Sequence, residues 1–272
     1  MAKAVSYVCA AFGAVLALFS LALLSVDLSP PPASSEGSAA APMGSGAMFD
    51  AIAHRYDVTN KVISLGSDEA WRRRLVASLA LEPGDLVLDL ATGTADVAIM
   101  LGRQTEAPTV RGVDPSARML DHGREKVAAA GLSSKVSLEL GDAQDLRGHP
   151  SSSFGKTCMS FGIRNVPDRV QALKEMARVT KAGGLVSILE FSEPSEGLLA
   201  PLARLFVAHV VPRLGVLMSG GARDEYVHLQ NSIKGFPLPA AFEAEMRLAG
   251  LGDVKSTMVH PGGVYLYTSV VK

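Results

Sequence analysis

The sequence predicts an α/β fold in which a seven-stranded, mostly parallel, Rossmann-like sheet carries helices on both faces. Apolar runs of strand length alternate with helical patterns through most of the chain, which is typical of parallel sheets. Residues 86–90 form a predicted buried strand, followed by a small-residue turn at 91–96 and an apolar helical run at 97–101. A strand, a tight turn and a helix start make up the first half of a nucleotide-binding βαβ unit.

Each further element follows from a local pattern. Residues 49–57 have the pattern of a short amphipathic helix, and residues 60–81 that of a turn followed by a second helix. In the second helix, Trp71, Leu75 and Leu79 have the spacing of a core-facing stripe. After the first βα unit we predict strands at 110–114, 136–140, 157–161, 185–191, 254–258 and 264–271, and helices at 117–130, 167–180 and 239–249.

Four residues suited to ligand binding fall at the carboxyl ends of predicted strands, where open α/β sheets bind ligands. They are Asp89, Gly93, Asp114 and Asp142. Asp114 is placed to accept the hydroxyls of a ribose and Asp142 to meet an adenine, which indicates the adenosyl part of a cofactor. The turn holds a single glycine instead of the G-x-G-x-x-G of a dinucleotide site, and a sulfonium tolerates nearby carboxylates. S-adenosylmethionine therefore fits better than NAD; an ordinary βα turn is the alternative.

Composition excludes several classes of function. The 272-residue chain has a formal net charge of −1, so it lacks the electrostatic footprint of a nucleic-acid-binding protein. Its histidines lack the spacing of metal ligands, and we expect no metal site. The two cysteines, Cys9 and Cys158, predict no disulfide within the folded part, which fits a reducing compartment.

The N-terminal part differs in composition from the rest of the chain. Residues 4–26 carry no charge, and at about 1.5 Å per residue they could cross a bilayer core of roughly 30 Å; a signal-peptide core is the alternative. We therefore expect a hydrophobic leader or membrane anchor at 1–26, a Pro/Ser/Ala-rich linker or transit segment at 27–47, and the folded domain at 48–272. No arginine precedes Arg55, which favours an anchor or a two-part organellar leader over a typical mitochondrial presequence.

The motif SFGIRN, residues 160–165, follows the fourth strand and is expected to face the cofactor crevice. Arginine supplies a rigid fork of donors, and asparagine supplies both donor and acceptor groups. Arg164 and Asn165 are therefore suited to hold an oxygen-rich planar group. The alternative is that Arg164 belongs to the scaffold and pairs with Glu190 or Asp168.

Two longer motifs are more specific. FDAIAHRYDVTN occurs with SLG and WRR, and SFGIRNVPDRVQALKEMARV is followed by LEFSEP. They resemble the two signatures of the S-adenosylmethionine-dependent C-methyltransferases of ubiquinone and menaquinone biosynthesis, and the resemblance covers roughly residues 48–272. It implies a class I methyltransferase sheet and methyl transfer to a ring carbon of a polyprenylated quinol in ubiquinone or menaquinone/phylloquinone biosynthesis.

The resemblance also implies roles for individual residues. Its cofactor contacts fall on Thr94, Asp114, Asp142, Ala143 and Ser160, and its quinol side on Tyr56, Asp57, Arg164 and Asn165. The chain departs from the family pattern at Thr92 and Ala95, where glycines are usual, and at His228, where an aromatic residue is common. If residue 95 needs a positive φ, alanine costs on the order of 1 kcal/mol there.

The implied chemistry requires a phenolate, because methylation of a ring carbon needs an electron-rich arene. Arginine is a poor proton acceptor, with a pKa above about 12, so we expect Arg164 to stabilise the phenolate electrostatically. The proton acceptor stays open among Asp57, Asp142, His228 and water.

The polyprenyl tail needs an apolar channel, for which residues 198–218 are the predicted lining or membrane-facing cap; a plain core or dimer helix is the alternative. We expect a membrane surface as a partner, with a homodimer or a quinone-synthesis complex as the assembly, in a mitochondrion or plastid. Two other functions stay open, namely methylation of another phenolic or sterol-like lipid and a non-catalytic role in a quinone-synthesis complex.

Overall fold

The computed structural model of the chain describes residues 46–64, 66–104, 108–193, 228 and 231–272, which belong to one compact unit. Its strands are β1 (Leu86–Leu90), β2 (Thr109–Asp114), β3 (Val136–Leu140), β4 (Phe154–Ser160), β5 (Thr180–Phe191), β6 (Leu251–His260) and β7 (Val264–Val271). Its helices are α1 (Gly46–Ile63), α2 (Asp68–Ser78), α3 (Asp96–Gly102), α4 (Ala117–Ala129), α5 (Arg169–Val179) and α6 (Pro239–Leu248), with a 3-10 helix at Ile163–Asn165.

The seven strands form one sheet in the order β3-β2-β1-β4-β5-β7-β6. Strands β1 to β5 run parallel, and β7 lies antiparallel to β5 and β6. This confirms the predicted seven-stranded, mostly parallel sheet. The order of the strands reverses between β1 and β4, and such a switch point is where open α/β sheets form a ligand crevice.

The core is divided between the two faces of the sheet. Val87 packs with Trp71, Leu75 and Leu79 of the α2 region on one face. Leu88, the next residue of β1, belongs to a second cluster that includes side chains of α5 and α6. Successive strand residues point to opposite faces, so helices cover both faces, and the predicted stripe on α2 is confirmed.

Some predicted boundaries were wrong. The first helix continues to Ile63 instead of stopping for a turn at Asn60. It is followed by Gly66, whose φ of 75° suits the end of a helix. The helix predicted at 167–180 ends one residue early, because the β-branched Thr180 enters β5 and pairs with Phe154. Strand β5 therefore starts at Thr180 instead of residue 185.

Several sequence predictions concern residues outside the described ranges. These are the leader at 1–26, all but the last two residues of the linker at 27–47, and the apolar segment 198–218. Helix α1 begins at Gly46, just before the predicted domain start at Met48. Within the described residues, no helix combines the length and the apolar character that a membrane span requires.

Candidate active site

A crevice of about 660 Å³, counted to its open mouth, lies at the carboxyl ends of β1 to β4. Among the sequence-predicted site residues, its lining includes Tyr56, Gly93, Asp114, Asp142, Ala143, Ser160 and Asn165. The others lie beside or beneath its described lining, and they are Asp57, Asp89, Thr94 and Arg164.

Asp114 ends β2 and is almost fully buried. Its Oδ2 accepts the Gly93 N–H at 2.8 Å and its Oδ1 accepts the Ser116 N–H at 2.9 Å. Burial raises the pKa of this carboxyl to about 6, against the opposing effect of the two amide donors. Each carboxylate oxygen can accept more than one hydrogen bond, so Asp114 keeps acceptor capacity for the two hydroxyls of a ribose.

The turn after β1 has an unusual backbone. Ala91, Gly93 and Ala95 all have positive φ angles, of 51°, 54° and 68°. Residue 95 therefore has the positive φ at which alanine is costly, because its side chain must adopt the left-handed conformation that favours glycine. Ala95 precedes the first residue of α3 and is fully buried.

Asp89 lies beneath this turn. Its Oδ2 accepts the Thr92 hydroxyl at 2.7 Å, and its Oδ1 accepts the Cys158 thiol at 3.4 Å. Complete burial raises the pKa of Asp89 to about 7. The side chain is held by Thr92 and is not among the described lining residues, and its contact with the cofactor stays a prediction.

Helix α1 forms one wall of the crevice and is fastened to α4. Phe49 and Tyr56, two turns apart, line the crevice with their rings 6.3 Å apart. Burial raises the pKa of the Tyr56 hydroxyl. On an adjacent stripe of the helix, Asp50 accepts the Ser116 hydroxyl at 2.5 Å and the Arg118 N–H at 3.0 Å.

Asp57 and Thr94 meet each other outside the described lining of the crevice. Asp57 accepts the Thr94 hydroxyl at 2.6 Å and is 2.6 Å from the Lys126 ammonium, which also contacts Asp96 at 2.6 Å. Burial lowers the pKa of Lys126, but the carboxylates of Asp96 and Asp57 outweigh it and the net shift is upward. The sequence assigned Asp57 to the quinol and Thr94 to the cofactor; here they tie α1 to the turn and to α4.

The segment after β3 supplies a further acidic wall. Asp142 and Ala143 line the crevice, as predicted for the adenine end. Asp142 accepts hydrogen bonds from the backbone and the side-chain amide of Gln144, at 2.8 and 3.1 Å. Their contact with adenine stays a prediction.

Arg164 forms a buried ion pair with Glu190. Its Nη1 donates to Glu190 Oε1 and to the Phe161 carbonyl, both at 2.7 Å, and its backbone N–H donates to the same carboxylate. Both side chains are at least nine-tenths buried. Of the two scaffold partners considered, Glu190 is the one found, while Asp168 caps α5 by accepting the Gln171 N–H.

Polar groups after β4 face the same crevice from the other side. Ser160 and Asn165 line it, and within the described part of the chain the buried Ser160 hydroxyl has no hydrogen-bond partner. His228 Nε2 lies 3.2 Å from Asn165 Oδ1. Burial, and then the charge of Arg164, lower the pKa of His228.

Sequence reasoning missed several residues of the site. Lys126 lies in the last turn of the amphipathic helix α4 and gave no local signal, because its partners are on α1 and at the start of α3. Phe161 lines the crevice with a φ of 57° and stacks on Phe191 at 4.7 Å between ring centroids. Asp50 and Asp57 lie seven residues apart, and this spacing on one helix face was a signal that could have been used.

The other titratable groups give no further site in the described part of the chain. Cys158 is a free, buried cysteine, and burial raises the pKa of its thiol well above the usual value; Cys9 lies outside the described residues. Among the described residues, no group of three His, Cys, Asp or Glu side chains is placed to hold a metal ion.

Solved structures show the same fold. A SAM-dependent methyltransferase from Aquifex aeolicus matches with a TM-score of 0.57 and 16% identity, over 79% of this chain and 98% of that chain. A SAM-dependent methyltransferase from Thermotoga maritima, described as a possible histamine N-methyltransferase, matches with a TM-score of 0.57 and 19% identity, over 84% and 99%. The fold is therefore that of a class I methyltransferase.

Sequence comparison identifies the family. The chain is 40% identical to the ubiquinone/menaquinone biosynthesis C-methyltransferase UbiE of Geotalea daltonii, over 78% of this chain and 88% of that protein. It is 42% identical to the demethylmenaquinone methyltransferase of Deinococcus radiodurans, over 75% and 83%. The sequence model of the ubiE/COQ5 methyltransferase family matches residues 41–271. The chain with this crevice therefore belongs to the ubiE/COQ5 methyltransferase family.

Proposed function

We propose that the protein transfers a methyl group from S-adenosylmethionine to a ring carbon of a polyprenylated quinol, in ubiquinone or menaquinone/phylloquinone biosynthesis. The names of the relatives from Geotalea daltonii and Deinococcus radiodurans, which refer to these two pathways, support this proposal. The observation that carries it is a single crevice that joins the carboxylates of Asp114 and Asp142 to the polar groups of Ser160 and Asn165.

The residues on the β2 and β3 side fit S-adenosylmethionine, the methyl donor of this class of enzyme. When bound, the cofactor supplies an electrophilic methyl group on a sulfonium. Asp114 is held by two backbone amides with acceptor capacity left over, and with Asp142 it places negative charge near a cationic ligand. The unpartnered hydroxyl of Ser160 offers one more polar contact from the β4 side.

The residues after β4 fit the acceptor oxygen. The guanidinium of Arg164 is paired with Glu190, so the pair is close to neutral from a distance. Asn165 lines the crevice directly, and a preorganised amide donor is suited to stabilise a developing phenolate. We therefore assign direct contact with the phenolate to Asn165, and we assign to Arg164 the support of the 3-10 helix that carries it.

The same contacts reduce the number of candidates for the proton acceptor. The carboxylate of Asp57 is bound by Lys126 and Thr94, and His228 contacts Asn165. Of the three candidate side chains, Asp142 is the one among the described lining residues. Asp142 is also the residue predicted for the adenine end of the cofactor, so we propose that the phenol proton leaves to water at the open mouth.

A direct test incubates the full-length chain, in detergent, with methyl-labelled S-adenosylmethionine and a panel of acceptors. The panel contains a demethylated polyprenyl naphthoquinol, a polyprenyl benzoquinol, and unrelated phenolic and sterol lipids. Mass spectrometry of the product is expected to place the label on a ring carbon of one of the two quinols. Methylation confined to another lipid, or cofactor binding without turnover on any acceptor, would contradict the proposal.

We also propose that the protein works at the membrane of a mitochondrion or plastid, as a homodimer or within a quinone-synthesis complex. The uncharged stretch at residues 4–26 and the long apolar tail of the proposed substrate support a membrane location. Organelle fractionation followed by carbonate washing is expected to recover the protein in the membrane fraction. Recovery in the soluble fraction of the cell would refute this part of the proposal.

A further inference from the structure

The contact between His228 and Asn165 fixes the direction of a hydrogen bond. The ring nitrogen Nε2 of His228 lies 3.2 Å from the side-chain oxygen of Asn165. An amide oxygen only accepts hydrogen bonds. With the amide in this orientation, the histidine carries its proton on Nε2, whether the ring is neutral or charged.

This contact leaves the amide nitrogen of Asn165 available. Within the described residues, that nitrogen has no hydrogen-bond partner. Asn165 is buried and lines the crevice, and its backbone is fixed by the bond from its N–H to the Gly162 carbonyl at 3.0 Å. With the oxygen held by His228, the group that Asn165 can offer to a ligand is a pair of N–H donors.

The orientation matters because the neighbouring cation is already engaged. Nη1 of Arg164 is taken up by Glu190 and by the Phe161 carbonyl. The buried Nε of Arg164 has no hydrogen-bond partner within the described residues, but Arg164 is not among the described lining residues and Asn165 is, so Asn165 is the side chain of this pair that can donate to a ligand. A flipped amide would present its oxygen instead, and two oxygens carrying negative charge repel each other.

We propose that His228 is a positioning residue that holds the side-chain amide of Asn165 with its N–H donors toward the acceptor oxygen of the substrate. The site then favours the phenolate form, because a charged oxygen accepts hydrogen bonds more strongly than the oxygen of a neutral phenol does. This inference rests on the proposed function for the identity of the acceptor, but the orientation of the amide is a property of the free protein.

The orientation is measured without turnover. In full-length protein labelled with ¹⁵N-histidine, two-bond proton–nitrogen correlations distinguish the two neutral tautomers of a histidine ring, and His228→Met identifies the signals of His228. We expect the Nε2–H form. An Nδ1–H tautomer with a bare Nε2 would overturn the proposal, because that ring could not donate to Asn165.

The effect of His228 on turnover is tested by two substitutions of similar size. Glutamine keeps an N–H donor near the place of Nε2, so His228→Gln is expected to keep kcat within about threefold. His228→Met removes the donor and is expected to lower kcat by about tenfold or more, the scale of one hydrogen bond to a charged group. Melting temperature, KM and the Kd for S-adenosylmethionine should match between the two variants.

Three results separate the possible failures. Equal kcat values for the two variants would overturn the positioning role. A kcat loss in both that follows a loss of melting temperature would show that His228 is only structural. If the wild type shows the Nε2–H tautomer but methylates no quinol, the proposed function fails and takes the phenolate selection with it, while the amide orientation stands.

Discussion

The two sides of the crevice are built from different kinds of contact. On the cofactor side, the key carboxylate of Asp114 is held by backbone amides of Gly93 and Ser116. On the acceptor side, the arrangement depends on side chains that hold side chains, namely Arg164 with Glu190 and His228 with Asn165. A hydrogen bond from a backbone amide remains when the side chain of the donor residue is substituted. In a buried pair of side chains, substitution of one leaves the other without its partner.

The two sides of the crevice also differ in how their buried charges are balanced. Asp114 is buried without a cation bonded to it, and its raised pKa reflects that. Glu190 is fully buried but has a guanidinium at 2.7 Å. The cofactor side is therefore left ready for a positively charged ligand, while the acceptor side is neutralised internally and offers directional donors. We expect substitutions on the acceptor side to act first on folding, and those on the cofactor side to act first on binding.

The largest effect is expected for Arg164→Met. It leaves the carboxylate of Glu190 buried without its cation, and breaking such a pair costs about 3–5 kcal/mol of unfolding free energy. Arg164→Lys keeps the charge but loses the planar fork, so it should lose less stability, and lower kcat less, than Arg164→Met does. Denaturant unfolding and steady-state kinetics measure the two quantities. A normal melting curve for Arg164→Met would contradict the scaffold role.

The next effect concerns Asp114 and is dependent on pH. Asp114→Ala should weaken S-adenosylmethionine binding by about 1.5–3 kcal/mol, because the ribose hydroxyls lose their acceptor. In the free protein the Asp114 pKa is about 6, and only the charged form accepts both hydroxyls. Wild-type affinity should therefore fall about tenfold as the pH drops from 7.5 to 5, since roughly one carboxyl in ten is charged one unit below its pKa.

Calorimetry across that pH range provides the measurement, and Asp114→Ala is its control. The variant should lose most of this slope between pH 5 and pH 7.5, and any slope that remains reports other groups such as Asp89, whose pKa is about 7. An equal slope in the variant would mean that another group produces the pH dependence.

A smaller effect is expected where α1 is tied to α4. Lys126→Met leaves the carboxylates of Asp57 and Asp96 without their shared cation, in a partly exposed place. We expect a loss of about 1 kcal/mol in unfolding free energy and a loss of less than tenfold in cofactor affinity, because α1 carries the Tyr56 wall. Arg73→Met, which removes the exposed pair with Glu69, is the matched control and should change stability by less than about 0.5 kcal/mol. If Lys126→Met and Arg73→Met changed the unfolding free energy equally, the ion pairs of Lys126 would stabilise the protein no more than an exposed surface pair does.

The smallest effect is expected for Ala95→Gly. Relief of the left-handed strain at residue 95 is worth about 1–2 kcal/mol. The buried methyl group contributes about 0.8 kcal/mol, and the greater freedom of glycine in the unfolded chain costs about 0.5–1 kcal/mol. Stability and cofactor affinity should therefore stay within about 1 kcal/mol of the wild type. A clear loss of affinity would show that the methyl group itself shapes the site.

The contrast between the two sides also explains what could be predicted from the sequence. The strand ends at Asp114 and Asp142 follow from local order along the chain, because neighbouring parallel strands bring their carboxyl ends together. The positive φ at Ala95 could be stated only as a condition. The choice of Glu190 over Asp168 as partner of Arg164 could not be made, since both lie near it in any reasonable sheet. The ion pair of Lys126 with Asp57 could not be predicted either, because Lys126 lies on a helix far along the chain; the ligand roles of Asp57 and Thr94 stay predictions.

The division of the crevice into a cofactor side and an acceptor side is tested most directly by comparing cofactor binding with turnover in Asn165→Leu. Leucine has nearly the shape of asparagine but no donor, and Asn165 lies on the acceptor side of the crevice. We expect an unchanged Kd for S-adenosylmethionine by calorimetry, and a kcat for quinol methylation lowered by about 10²-fold or more. A variant that binds the cofactor as poorly as it turns over would contradict the division of the crevice into two sides, and so would one that turns over normally.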